Sequence, residues 1–270
     1  MSRFDLRGKT AVVTGAASGI GLALAHALGA RGCHLILADI NLAELEIKTS
    51  PLADKVRIHL AYCDVGDAQS ITHFVEEIEA TDMSVDLLFN NAGVAIGGLF
   101  DDVPAAEFER LIDINFLGVV RMTRALLPHL RQRPDARIIN ISSLFGLIAP
   151  SGQTAYSASK FAVRGFSNAL RHELLSSSVG VTVVYPGGVR TQIARRAPNY
   201  LKLGESEQAA LRKRTEQALR MPPEEAARQI LSAVERRCAR MVIGMDAKVL
   251  GLLERLLPVS YWRVIGKLFG

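Results

Sequence analysis

Thr10-Ala11-Val12-Val13-Thr14-Gly15-Ala16-Ala17-Ser18-Gly19-Ile20-Gly21 is the stretch on which the fold turns. An apolar, β-type run passes directly into a glycine-rich turn, and a helical pattern follows over 19–31. Glycines let a backbone turn tightly and approach a pyrophosphate. The free N–H groups and positive dipole end of the helix then face that anion. The spacing G-x3-G-x-G differs from the common G-x-G-x-x-G arrangement, and a glycine-rich turn without a ligand also fits. Thr10 to Ala30 holds no Lys, Arg, Asp or Glu and follows Arg3, Arg7 and Lys9, the outline of a targeting signal or a membrane span. Gly15, Gly19, Gly21 and Gly29, with Thr14, Ser18 and His26, divide it into strand, turn and helix instead.

The same alternation continues along the 270 residues. Strands are predicted at 10–14, 34–38, 56–60, 85–89, 137–141, 181–185 and 241–243. The clearest helices are predicted at 19–31, 67–80, 104–131, 154–177 and 223–237. Runs such as Val85-Asp86-Leu87-Leu88-Phe89 and Ile138-Ile139-Asn140-Ile141 are nearly continuous apolar, as strands covered on both faces should be. The expected fold is α/β: one Rossmann-like doubly wound domain over 1–245, built on a seven-stranded, mostly parallel sheet. Residues 246–270 form an amphipathic C-terminal extension. Ligands of such sheets lie at the carboxyl ends of the strands, where strand order reverses.

Hydrophobic residues make up 49% of the chain and charged residues 22%, which sets aside disordered, collagenous and coiled-coil classes. Cys33, Cys63 and Cys238 are odd in number and widely spaced, so neither a disulfide scaffold nor a cysteine-based metal site is expected. The isolated histidines lack ligand spacing, and no metal is expected. A reducing, cytoplasmic setting fits the cysteines. The net charge of +5 is concentrated in 190–220 and 247–270. That distribution argues against a general nucleic-acid surface.

Candidate site residues stand at the predicted strand ends. Asp39 follows the second strand, 18 residues after Gly21, where a carboxylate can accept hydrogen bonds from ribose hydroxyls and repel a 2′-phosphate. Neither Ile40 and Asn41 nor Ala17 and Ser18 offers a compensating cation, so NAD is favoured over NADP. Asp39 could instead cap the next helix. Asp64-Val65 could meet an adenine or form a turn. Asn90-Asn91-Ala92-Gly93 suits close backbone approach or a plain loop. Tyr156 and Lys160, at i and i+4, share one helix face, where an ammonium can lower the pKa of a phenol. An ordinary helix pair has the same spacing. Ser143 ends the fifth strand, and Pro186-Gly187-Gly188-Val189-Arg190-Thr191 ends the sixth. Asp101-Asp102 reads as a helix start.

Taken in order, Thr14-Gly15-x3-Gly19-x-Gly21, Asp39, Asp64-Val65, Asn90-Asn91-Ala92-Gly93, Asn115, Ser143, Tyr156-x3-Lys160 and Pro186-Gly187 resemble the short-chain dehydrogenases/reductases in their compact single-domain form. The resemblance implies hydride transfer between a nicotinamide and an alcohol or ketone carbon. Tyr156 would be the general acid/base. Lys160 would lower its pKa and hold the nicotinamide ribose, Ser143 would bond the substrate oxygen, and Asn115 would help hold a water in a proton relay to Lys160. Thr191 would contact the cofactor near its carboxamide. Gly15, Ser18, Gly19, Ile20, Gly21, Asn91, Ala92, Gly93, Pro186, Gly187 and Val189 would line the cofactor cleft, with Asp64 and Val65 at the adenine. A homodimer or homotetramer pairing through 104–131 and 154–177 is the implied assembly.

Val94, Ile96, Leu144, Phe145 and Gln153, with a lid over about 191–222, would line an apolar pocket suited to a lipophilic secondary alcohol or ketone. Arg190, Arg195 and Arg196 could grip an anionic tail, or stand as solvated lid charges. A non-catalytic nucleotide-binding regulator or scaffold on the same fold is the alternative. The extension carries Leu250, Leu253, Leu256, Leu257, Tyr261, Trp262, Val264, Ile265, Leu268 and Phe269 with four cations, and Pro258 breaks it into two short helices. It could cover its own pocket, meet a partner subunit, or lie peripherally on an anionic membrane.

Overall fold

The computed structural model describes residues 3–269. Seven strands form one sheet in the order β3-β2-β1-β4-β5-β6-β7, every neighbouring pair parallel. They are β1 (Thr10–Thr14), β2 (His34–Asp39), β3 (Ile58–Tyr62), β4 (Leu87–Asn90), β5 (Ala136–Ile141), β6 (Val179–Pro186) and β7 (Arg240–Ile243). Strand order runs outward from β1 to β3, then reverses through β4, so the crevice lies beside the ends of β1 and β4.

Two apolar layers cover the sheet. On one face α1 (Gly19–Gly29), α2 (Leu42–Thr49) and α9 (Pro223–Glu235) bring Leu24, Leu28, Leu45, Ile230 and Val234 against Val13, Leu35 and Leu37. On the other, α3 (Ala68–Glu79), α5 (Gly118–Arg131) and α6 (Thr154–Glu173) bring Phe74, Met122, Leu126 and Leu170 against Val12, Ile36, Leu88 and Ile138.

Several predicted boundaries move for physical reasons. The third strand begins two residues late, at Ile58. The fourth begins at Leu87, because Asp86 turns its carboxylate to the Thr10 N–H (3.0 Å), Lys9 and Arg133. The long helix over 104–131 is α4 (Ala105–Ile112), a π-helical turn (Asp113–Leu117) and then α5. Asp101-Asp102 does not start α4: Pro104 holds the cap position, and Asp102 pairs instead with Lys202 (2.6 Å). Asp39 does not cap α2: the Asn41 side chain accepts from the Glu44 N–H.

The lid region holds α7 (Gln192–Arg196) and α8 (Glu205–Ala218). The extension forms two helices, α10 (Met245–Leu256) and α11 (Tyr261–Phe269), interrupted around Pro258 as its sequence implies. The side chains of Ile265, Lys267, Leu268 and Phe269 lie outside the described residues.

Candidate active site

The glycine-rich turn is shaped by positions that tolerate no side chain. Gly15 and Gly19 adopt φ of +66° and +54°, left-handed backbone that glycine adopts freely. A Cβ on Gly15 would press on the Ala92 Cα at 2.8 Å, and one on Gly21 would overlap the Gly15 carbonyl oxygen. Ser18 precedes α1 without capping it through its side chain, and no acidic residue occupies the first turn. The N–H groups and positive pole of α1 therefore point at the crevice without an internal anion, which fits a pyrophosphate.

The ends of β1 and β4 are knitted together around this turn. The Thr14 hydroxyl accepts from the N–H groups of Asn91 and Ala92, both at 3.0 Å. The Asn91 amide donates to the carbonyls of Thr14 (2.9 Å) and Gly15 (3.2 Å). Asn91 and Ala92 thus shape the cleft by holding backbone. Thr191 packs its methyl group over Gly19, so the entry to the lid lies across the turn.

Asp39 faces the same turn. One carboxylate oxygen accepts from the Ala17 N–H (2.9 Å) and the other from the Asn41 N–H (3.0 Å). A cation does approach here that the residues adjacent to Asp39 do not announce. Lys48, a helix length away on α2, donates to the Ala17 carbonyl (3.2 Å) and to Glu44 (2.5 Å). Glu44, paired with it, offsets its charge. The Asp64 carboxylate accepts from the Gly66 N–H (2.8 Å), the geometry of a turn residue, and Val65 is buried against Gly118.

The chemistry-bearing quartet converges at the ends of β4 and β5. Lys160 is 3% exposed. Its Nζ donates to the Ile141 carbonyl (3.2 Å) and lies 5.6 Å from the centroid of the Tyr156 ring. A Cβ on Gly93 would stand 3.5 Å from that Nζ and 3.0 Å from the Asn115 Oδ1, so only a glycine leaves the approach open. Burial lowers the Lys160 ammonium to about 8. Burial also raises the Tyr156 phenol, while the Ser143 hydroxyl beside it pulls the other way. The lowering of Tyr156 expected from Lys160 is therefore not seen: the ammonium sits over the ring face, bound to a carbonyl, and is itself disfavoured by desolvation. Lowering the phenol requires positive charge closer to its oxygen.

Asn115 lies in the π-helical turn and is fully buried. Its Oδ1 accepts from the Val94 N–H (2.8 Å), and its Nδ2 donates to the Val94 carbonyl (2.8 Å) and the Ser159 hydroxyl (3.2 Å). The Ser159 hydroxyl in turn donates to the Tyr156 carbonyl (2.7 Å). Ser159 was not among the predicted site residues, yet it joins Asn115 to the helix turn bearing Tyr156 and Lys160. Ser142 donates to the Lys160 carbonyl (2.9 Å), fixing the Ser143 end of β5 against α6.

The apolar candidates divide into two groups. Val94 and Ile96 cluster with Tyr156, Phe108 and Tyr200. Leu144 belongs to a second cluster with Ile148, Ala247 and Leu250 of the extension. Phe145 joins the two, meeting Tyr156 edge to face with ring centroids 6.0 Å apart. The Gln153 carbonyl accepts from the Ser157 N–H at the start of α6, and Gln153 bridges to Gly98. The segment at 198–200 packs against this side. The Gly97 N–H donates to the Pro198 carbonyl (2.9 Å) and the Tyr200 N–H to the Gly97 carbonyl (2.8 Å). Buried Val189 bridges to Met221, securing the other end of the lid. Beside it, the Asp246 carboxylate of α10 accepts from the Gly188 N–H (2.7 Å), and the Gly187 N–H donates to the Ile243 carbonyl at the end of β7 (2.8 Å). Pro186 is buried as the last residue of β6. Arg190, Arg195 and Arg196 are exposed.

A glycine-rich cradle at a topological switch point, next to half-buried Tyr156, buried Lys160 and a strand-end serine, defines a nucleotide-dependent oxidoreductase fold and site. Residues 9–200 match the model of the short chain dehydrogenases, and the chain belongs to that family. SadH of Mycobacterium tuberculosis is 41% identical over 269 residues, spanning 98% of this chain and 96% of that protein. A short chain dehydrogenase/reductase from Burkholderia phymatum, solved in complex with NAD, superposes with a TM-score of 0.85. It is 28% identical, with 93% of this chain and 94% of that one covered. A short-chain dehydrogenase from Streptomyces avermitilis superposes at 0.80 with 30% identity, covering 96% and 97%.

Proposed function

We propose that this oxidoreductase interconverts a lipophilic secondary alcohol and its ketone, using NAD rather than NADP, with Tyr156 as general acid/base. The observation that carries the reading is the convergence of half-buried Tyr156 and Ser143 with buried Lys160 in one corner of the sheet's carboxyl edge. Gly15, Gly19 and Gly21 leave room for a dinucleotide, the N–H groups of α1 would hold its phosphates, and Asp39 would accept from the adenosine ribose hydroxyls. When bound, the nicotinamide accepts or gives the hydride.

This chain's own groups handle the proton. In reduction the protonated Tyr156 phenol donates to the developing alkoxide, and Ser143 donates a second hydrogen bond to the same oxygen. In oxidation Tyr156 accepts the hydroxyl proton. Its raised pKa places this direction in the alkaline range: oxidation accelerates with rising pH, and reduction is favoured at neutral pH. Lys160 would hold the nicotinamide ribose, and its charge would act on the phenolate only if Nζ moved from the Ile141 carbonyl towards the Tyr156 oxygen. Asn115, bound to both backbone groups of Val94, holds the floor of the pocket. Val94, Ile96, Phe145 and Tyr200 supply an apolar wall, which favours hydrocarbon substituents over sugars or hydroxy acids.

Coenzyme preference tests the role of Asp39. The ratio of kcat/KM with NAD to that with NADP is expected to exceed unity. It is expected to fall by about tenfold or more in Asp39→Ala, since one charge contact is worth roughly 1–3 kcal/mol. A wild-type preference for NADP, or an unchanged ratio in the variant, contradicts this assignment.

A further inference from the structure

The extension has two apolar faces, and only one is used. Ala247 is buried, and Leu250 and Leu253 pack with Leu144 and Ile148 of the loop after β5. The Tyr261 hydroxyl accepts from the Ala149 N–H (3.0 Å). Asp246 holds Gly188. These contacts seat α10 and α11 on the catalytic domain. At about 100° per residue, Met245, Val249, Leu252 and Leu256 lie within about 60° of one another on the outer side of α10. All four are more than half exposed, at 70%, 57%, 57% and 68%. Leu257, Val259 and Val264 continue the apolar surface through the break into α11. Among the described residues, thirteen large apolar side chains are exposed, and seven of them lie between 245 and 264. A solvent-facing helix in a water-soluble domain has no reason to gather them in one stripe.

The charge beside the stripe selects its partner. Lys248 and Arg255 are exposed on one flank of α10, and Arg263 is exposed on α11. The acids do not cancel them on that face: Asp246 is engaged by Gly188, and Glu254 lies half-buried on the opposite side of the helix from the stripe. An apolar stripe flanked by flexible cations matches an anionic lipid surface, where the side chains enter the acyl boundary and the cations meet headgroups. Interface cores between protein copies are instead depleted in lysine.

We propose that the outer face of α10 and the start of α11 dock the protein peripherally on anionic membranes. This docking does not depend on which alcohol the site takes.

Co-sedimentation of the full chain with vesicles tests this. Vesicles of phosphatidylcholine with one-third phosphatidylglycerol are expected to bind the protein, and phosphatidylcholine alone to bind it weakly. Val249→Gln/Leu252→Gln/Leu256→Gln and Lys248→Glu/Arg255→Glu are each expected to weaken partitioning by about tenfold or more. Far-UV circular dichroism and Tm should stay at wild-type values, since these side chains face solvent. Absence of binding to the anionic vesicles overturns the proposal, as does unchanged partitioning of either folded variant. A wild-type oligomer that the triple variant converts to monomers, without vesicle binding, assigns the face to a second copy and also overturns it.

Discussion

Tyr156→Phe is expected to lower kcat for alcohol oxidation by about 10²–10⁴-fold while leaving the dissociation constant for NAD within a few-fold of wild type. The ring remains, so the edge-to-face contact with Phe145 and the packing under Lys160 survive. Only the hydroxyl to which the proposal assigns the proton exchange is lost. Ser143 cannot substitute, since an aliphatic hydroxyl neither gives nor takes a proton near neutral pH. The pH profile separates a chemical role from a structural one. Wild-type oxidation should rise into the alkaline range, because burial holds the phenol above its ordinary value. The residual activity of the variant should lose that rise. A variant with near-wild-type kcat, or one that retains the same alkaline limb, contradicts the assignment of Tyr156 as acid/base. Steady-state kinetics across pH, with NAD binding followed by titration calorimetry, reads both.

Lys160→Met is expected to remove activity and yet stabilise the free protein at neutral pH. The ammonium is buried and shifted from 10.5 to about 8, whereas the unfolded chain keeps the ordinary value. Below about pH 8 both states are protonated, and burial costs the folded state about 3 kcal/mol. Between about 8 and 10.5 the unfolded chain binds more protons, so wild-type stability rises with pH through that window. Methionine fills a similar volume without the charge. It forfeits the bond to the Ile141 carbonyl, worth about 1 kcal/mol, so the net gain is about 2 kcal/mol at pH 7. In a chain of this size that raises Tm by about 4–8 °C. The gain should shrink towards pH 10 and change sign there, leaving the unpaired carbonyl as the only difference. Thermal unfolding of both proteins at several pH values provides the check. A variant less stable than wild type at pH 7 would mean that Lys160 is better solvated than its burial implies. The stabilisation expected on removing this charge is the mark of a residue kept for chemistry rather than for folding.

How far the sequence carries the reading depends on the distance between partners. The glycine-rich turn, Asp39, Ser143 and the Tyr156–Lys160 pair are legible because each is a local feature: a residue type needed at one strand end or one helix turn. Partners brought in from afar are not. Lys48 reaches the Ala17 carbonyl from 31 residues away, and Asp246 reaches Gly188 from 58. Neither lies in a motif, and only the parallel crossovers bring them near. The π-helical turn at Asp113–Leu117 escapes a 3.6-residue periodicity because it adds a residue to one turn while the apolar face continues on both sides. It places Asn115 where both backbone groups of Val94 can be held. Ser159 hides inside the Tyr-x3-Lys spacing as an ordinary helix serine until its neighbours are seen. The break at Pro258 follows from the residue itself. The presence of two apolar faces on α10 follows from its composition only once one face is seen to be buried.

The most direct test of the account is the specificity constant of the intact enzyme for a series of straight-chain secondary alcohols of increasing length, each with NAD. An apolar pocket gains about 0.8 kcal/mol for each methylene it buries, so kcat/KM should rise by up to about fourfold per carbon until the pocket is filled. A flat or falling series, with faster turnover of a sugar alcohol or a short hydroxy acid, would contradict it.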